Sequence, residues 1–134
     1  MPYRSTTRNR PGHLLTPYRN RESKLKLSVE TCRSGDVIVV RCEGRIVYRD
    51  EAAALSRVVT EALQHGKEII LDLAAVPMID SAGLGELVVL HMSADRSGNS
   101  LKLAGPSPLL CELFDLTNLS SLFEIYPTLD DALE

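Results

Sequence analysis

Asp80 and Ser81 open a short run, Asp80-Ser81-Ala82-Gly83-Leu84-Gly85, set between two apolar stretches. Residues 69–76 lead into it through Ile79, and Leu87-Val88-Val89-Leu90 leave it. A serine where a buried strand hands over to a buried helix meets unpaired backbone N–H groups and the positive end of the helix dipole. That setting suits anions. Three roles are open to Ser81 there: helix cap, nucleophile or phosphate acceptor.

The nucleophile meets obstacles in the sequence. A hydrolase elbow of the form G-x-S-x-G needs glycine where Ile79 stands. A triad needs a histidine, and His91, the only one after Ser81, falls about three turns along the same helix. No G-x-x-x-x-G-K-[ST] phosphate loop occurs, and Gly83 with Gly85 is at most a fragment of a dinucleotide motif. The chain is therefore expected not to be an enzyme. As a cap, either Asp80 or Ser81 serves, worth about 1 kcal/mol. Capping leaves Gly83 and Gly85 unexplained, because each costs about 0.8–1 kcal/mol relative to alanine inside a helix. Two readings account for them: a surface kept low beside Ser81 for another molecule, or tight helix–sheet packing.

The elements that must position this run follow from periodicity. Leu25, Leu27 and Val29 alternate with polar residues as in a half-buried strand, and residues 37–42 form a β-branched second one. A turn centred on Ser34-Gly35 joins them as an antiparallel hairpin and places Cys32 opposite Val37, so Cys32 and Cys42 do not face each other. Gly44 ends the second strand. Residues 50–65 read as a helix with Ala53, Leu55, Val58, Val59, Ala62 and Leu63 on its apolar face, stopped by Gly66. Residues 68–73 are apolar on both faces, as in a parallel strand covered on two sides. A helix spans residues 81–96, and a short strand spans 101–104. Pro108 opens a third helix with Leu109, Leu110, Leu113 and Leu116 on its buried side. Residues 122–126 make a last strand, and Thr128 caps a terminal helix. The expected architecture is α/β, order β-β-α-β-α-β-α-β-α, with a mixed, mostly parallel sheet behind an antiparallel hairpin.

Bulk properties narrow the function classes. At 134 residues, 44% hydrophobic and 25% charged, the chain supports one globular domain. Aromatic residues make up only 4% and tryptophan is absent, which leaves little for base stacking, so no direct nucleic-acid binding is expected. Residues 1–26 carry seven cations against Glu22 alone, a net +6 within a total of −3, so the remainder carries −9. Residues 1–24, with Pro2, Pro11 and Pro17, read as a flexible basic arm before a domain at 25–134. No run is long enough to span a bilayer, and three cysteines and three histidines show no metal-ligand spacing. A reduced, cytoplasmic setting without cofactor, metal or membrane insertion is expected.

Leu71-Asp72-Leu73, the 79–85 run, Gly98, Gly105-Pro106-Ser107-Pro108 and Asp130-Asp131-Ala132-Leu133 together resemble the STAS domain family. The freestanding bacterial anti-sigma factor antagonists are the most similar branch. The resemblance implies that Ser81 is phosphorylated by a partner anti-sigma factor, itself a serine kinase. It also implies that unmodified protein binds that partner and so controls sigma-factor-dependent transcription. A phosphate adds about −1.5 to −2 charges, enough to end such binding. Implied partner-binding residues are Asp80, Ser81, Ala82, Gly83, Leu84 and Gly85, with Gly44, Arg45, Tyr48 and Arg49 from the neighbouring connector. Antagonists of this kind carry a G-E-[LI]-D segment, whereas this chain has Gly44-Arg45-Ile46-Val47. Val47 stands at the acidic position and Arg45 replaces glutamate. Arg45 and Arg49 then suit a phosphate, an acidic partner, or simply a solvated loop. The other family role is a scaffold without a switch, partnering a lipid-transporter ATPase or a stress-signalling subunit.

Overall fold

Each strand forms where the alternation of side chains serves a face of the sheet. The computed structural model describes residues 27–134; the readings of residues 1–24 as an arm and of Leu25 as strand lie outside them. In chain order the elements are β1 (Leu27–Ser34), β2 (Val37–Gly44), α1 (Tyr48–Ala62), β3 (Glu68–Ala75), α2 (Ser81–Arg96), β4 (Ser100–Ala104), α3 (Pro108–Leu116), β5 (Glu124–Tyr126) and α4 (Leu129–Leu133). The sheet order is β1-β2-β3-β4-β5, antiparallel between β1 and β2 and parallel thereafter. This is the mixed α/β architecture expected from the sequence.

The main core lies on one face of the sheet. Ile38, Val40, Ile69, Leu71, Leu73 and Leu103 point into it and meet Leu55 and Val59 of α1, Leu87 and Leu90 of α2, and Leu110 and Phe114 of α3. Removing this much apolar surface from water is the dominant favourable contribution to folding. The opposite face is thinner: Cys32, Val39, Ile70 and Ala104 cluster with Ala132, flanked by Tyr126, Leu129 and Leu133. Polar positions on that face pair with one another, as in Arg41–Asp72 and Lys102–Glu68. The buried β3 run therefore has cover on two sides, as its composition requires.

Several sequence expectations are corrected. The hairpin turns about Gly35-Asp36, not Ser34-Gly35, so Cys32 faces Val39 and Cys42 faces Val29. Gly35 has φ 63°, at the first central position of a two-residue loop, where hairpin turns call for glycine. Helix α1 starts two residues before Asp50 and ends at Ala62. Of the expected apolar face, Leu55, Val59 and Ala62 are buried and Val58 and Leu63 pack against the core, while Ala53 is half-buried and Glu51, Ala52 and Ala54 are buried as well. The last strand is only three residues long, because Ser120, Ser121 and Leu122 belong to a turn closing α3. In α3, Leu110 and Phe114 are buried while Leu109 and Leu116 face solvent. A leucine-rich helix offers two candidate faces, and the i, i+4 pair with the larger aromatic takes the inside.

Cys32 and Cys42 belong to clusters on opposite faces of the sheet and are free thiols, whereas Cys111 is exposed. Burial, reinforced by the charge of Asp72, pushes the Cys42 thiol far above its ordinary range. A chromogenic disulfide reagent is therefore expected to titrate one thiol promptly in native protein and all three in denaturant without prior reduction. A deficit in denaturant would reveal a disulfide and contradict this geometry.

Candidate functional site

Two connectors meet at the carboxyl ends of β2 and β3, where parallel sheets place their binding crevices. The β2–α1 connector passes through Arg45, Ile46 and Val47; the β3–α2 connector passes through Val76 to Asp80. Ile46 donates its N–H to the Met78 carbonyl at 2.9 Å and accepts the Asp80 N–H at 3.2 Å, a parallel bridge between Ile46 and Ile79. The two loops are thus sewn together as a short extension of the sheet, with Ile46 and Ile79 both buried beneath.

Asp80, not Ser81, caps α2. Its Oδ1 accepts the Gly83 N–H at 3.0 Å, and its Oδ2 accepts the Tyr48 N–H at 2.9 Å. One carboxylate therefore satisfies the start of α2 and the start of α1 together. The N–H donors of Tyr48, then Gly83, hold the Asp80 carboxyl below its usual range against a smaller opposing effect of burial. Tyr48 follows Val47 with φ 73°, the left-handed region that a bulky side chain rarely enters, and the residue is 64% exposed. Its N–H bond to Asp80 holds that conformation in place.

Ser81 is left exposed at the first helical position, and its hydroxyl makes no hydrogen bond to another described residue. The cap and the serine are separate roles on adjacent residues. His91 lies ten positions along α2, its ring edge-on to Phe123 at 5.3 Å between centroids, and so stands apart from Ser81.

The two glycines also separate. A Cβ on Gly83 would lie 2.6 Å from the Ile46 carbonyl and 2.7 Å from Ile79 Cγ2, so Gly83 is what lets α2 settle onto the stitched connectors. A Cβ on Gly85 would meet nothing within 4 Å. Gly83 therefore answers to packing, and Gly85 leaves the surface low. From Ser81 through Gly85 an exposed stripe continues to Val89, 53% exposed, and Met92, 55% exposed, at helical spacing. Sequence reasoning missed this stripe. Its signal was present: α2 is apolar beyond the face occupied by Leu87, Leu90 and Ala94.

The remaining predicted residues sit beside it. Gly44 ends β2, and Arg45 in the connector and Arg49 in the first turn of α1 are both exposed. Ala82 and Leu84 are half-buried. Val47 is buried, and its N–H donates to Glu51 Oε1 at 3.2 Å; Glu51 itself is 1% exposed. The acidic group nearest in sequence to Val47 is thus turned inward as a helix-start acceptor. Among the described residues no group of His, Cys, Asp and Glu is arranged to hold a metal, and no helix is long and apolar enough to cross a membrane.

Comparison with known proteins places this geometry. The STAS domain family model matches residues 28–132. The anti-sigma-B factor antagonist of Bacillus subtilis is 30% identical over 102 residues, covering 75% of this chain and 92% of the relative. A solved anti-sigma factor antagonist from Mycobacterium paratuberculosis superposes with a TM-score of 0.72 at 26% identity, over 87% of this chain and 96% of that one. The antagonist SpoIIAA shares the fold at 17% identity. In its unphosphorylated form the TM-score is 0.67 over 78% of this chain and 92% of that one; in its phosphorylated form it is 0.63, over 78% and 96%.

Two measurements test the roles assigned here. Gly85→Ala is expected to raise stability by roughly 0.5–1 kcal/mol through helix propensity, whereas Gly83→Ala costs about 1–3 kcal/mol through overpacking. Thermal melts of the pair should move in opposite directions. Asp80→Ala is expected to cost about 1–2 kcal/mol at pH 7. Because the folded carboxyl titrates below the unfolded one, its contribution is complete above about pH 4 and fades as pH falls through the folded value. Urea denaturation at pH 7 and pH 3 should show the gap to the parent narrowing in acid; an unchanged gap would contradict the carboxylate's role.

Proposed function

The chain belongs to the STAS domain family, and from that premise we propose that it is an anti-sigma factor antagonist switched by phosphorylation of Ser81. The observation that carries this reading is the exposed Ser81 hydroxyl, released from capping by Asp80 and set at the head of an open apolar stripe. Unmodified protein docks its anti-sigma factor on residues 80–85 with Gly44, Arg45, Tyr48 and Arg49, and Val89 and Met92 extend the contact along α2. Engagement of the anti-sigma factor frees the sigma factor for transcription. Near-full-length similarity to freestanding antagonists supports this over a transporter or stress-complex scaffold.

The switch is a phosphoryl transfer catalysed by the partner. Ser81 Oγ bonds to the γ-phosphorus of ATP while the bond from that phosphorus to the β,γ-bridging oxygen breaks. ADP departs, and the hydroxyl proton passes to a base on the kinase. This chain supplies the acceptor and its positioning, not the catalytic groups. The product carries about −1.5 to −2 charges where a partner would otherwise pack closely over Gly85. A loss of about 3–4 kcal/mol weakens binding by two to three decades.

Incubation with the cognate anti-sigma factor and ATP should place one phosphate on Ser81 by mass spectrometry, and Ser81→Ala should abolish it. Calorimetry should show Ser81→Asp binding the anti-sigma factor roughly a hundredfold to a thousandfold more weakly. Modification that survives Ser81→Ala, or full-affinity binding by Ser81→Asp, overturns the proposal.

A further inference from the structure

We propose that Arg45 and Arg49 form a built-in clamp that takes up the charge of a phosphate on Ser81 within the chain itself. The inference rests on the reading of Ser81 as the phosphate acceptor and names the residues that receive the modified side chain. Both arginines are exposed, and neither makes an ion pair with another described residue. The backbone ties the neighbours of both arginines to the segment that leads into Ser81. Ile46, which follows Arg45, is bonded on both sides to Met78 and Asp80, and Tyr48, which precedes Arg49, donates to the Asp80 carboxylate. Each arginine is thus one residue, about 3.8 Å between Cα atoms, from a residue hydrogen-bonded to the segment that leads into Ser81.

The need for such a clamp follows from how α2 begins. Its Gly83 N–H is already taken by Asp80 Oδ1, and the Leu84 N–H is bonded to the Asp80 carbonyl. Asp80 remains ionised next to the serine and opposes a second negative group. The helix start therefore offers a phosphate less compensation than an uncapped one. Cations of the chain add a compensation that solvent alone does not hold in place. Arginine meets a phosphate with a planar fork that lysine lacks, and frequently bonds it through two parallel N–H groups.

Val47 fits the same arrangement. With valine at this position no carboxylate stands between the two arginines, and Glu51 is buried on the Val47 N–H. The ionisable groups around the phosphate are then Arg45 and Arg49 on the favourable side, against Asp80, exposed Asp50, buried Glu51 and half-buried Glu86. Phosphorylation would change two surfaces at once. It adds charge at Ser81 and withdraws two cations from whatever docks beside it.

The test uses the full chain with phosphoserine inserted at position 81 during synthesis, so that it does not depend on any kinase. Phosphorus NMR follows the second ionisation of that phosphate, which lies near pH 6 when unperturbed. In the parent it is expected about half a pH unit or more below its position in R45A/R49A, with each single variant between and R45K/R49K retaining part of the difference. Melting temperatures of the unmodified variants should match the parent, since both side chains are exposed. Identical titrations in the parent and R45A/R49A overturn the clamp. If those titrations coincide while unmodified R45A/R49A binds its anti-sigma factor tenfold more weakly, the arginines serve an acidic partner instead. A kinase that never modifies Ser81 would remove the switch but leave this measurement standing.

Discussion

One carboxylate with two backbone donors organises the working end of this molecule. Asp80 accepts the N–H of Gly83 from its own helix and the N–H of Tyr48 from the neighbouring one. A buried or half-buried helix start leaves N–H groups that must find acceptors; here a single side chain serves two starts. That economy couples α1 to α2 more tightly than side-chain packing alone would. It also holds Tyr48 in the left-handed region and leaves Ser81 with no structural duty. A serine that must cap its helix cannot also be freely offered to a partner, so the free hydroxyl depends on the aspartate before it.

The division of labour continues along the turn. Gly83 is pressed against the Ile46 carbonyl, while Gly85 looks into open space. Both residues weaken the helix intrinsically, and the surrounding structure offsets that cost for opposite reasons. The first allows backbone to meet backbone. The second leaves room for something outside the chain, and the exposed Val89 and Met92 continue the same strip. In this arrangement Ser81 lies at one end of an exposed apolar track.

How far these features were readable in the residues depends on which force governs them. Long apolar runs such as 69–73 and the 81–96 helix were legible because burial on two faces, or a full helical period, leaves few alternatives. The hairpin register was not, since moving the turn from Ser34-Gly35 to Gly35-Asp36 keeps the same apolar alternation. The turn conformation of Gly35 decides it. Leu109 and Leu116 were misplaced because a leucine-rich helix is apolar on two faces, and the position of Phe114 selects between them. Within the site, residue types could name Asp80 and Ser81 as cap candidates without choosing one. They also could not distinguish the glycine that packs from the glycine that opens. Those distinctions are three-dimensional, set by the approach of Ile46 from a connector more than thirty residues away.

The near contact of Gly83 with the Ile46 carbonyl separates the position of the serine from the chemistry of the loop beside it. The Ile46 carbonyl and the buried side chains of Ile46 and Ile79 set that spacing, so the height of the serine does not depend on the exposed side chains of the adjoining loop. The side chains of Arg45, Tyr48 and Arg49 are exposed, with only the Tyr48 backbone N–H bonded into the frame, and Val47 fills a niche without capping its helix. Substitutions of these exposed side chains therefore leave the position of Ser81 unchanged. The loop's outward chemistry and the serine's position are thus two independent settings of one surface.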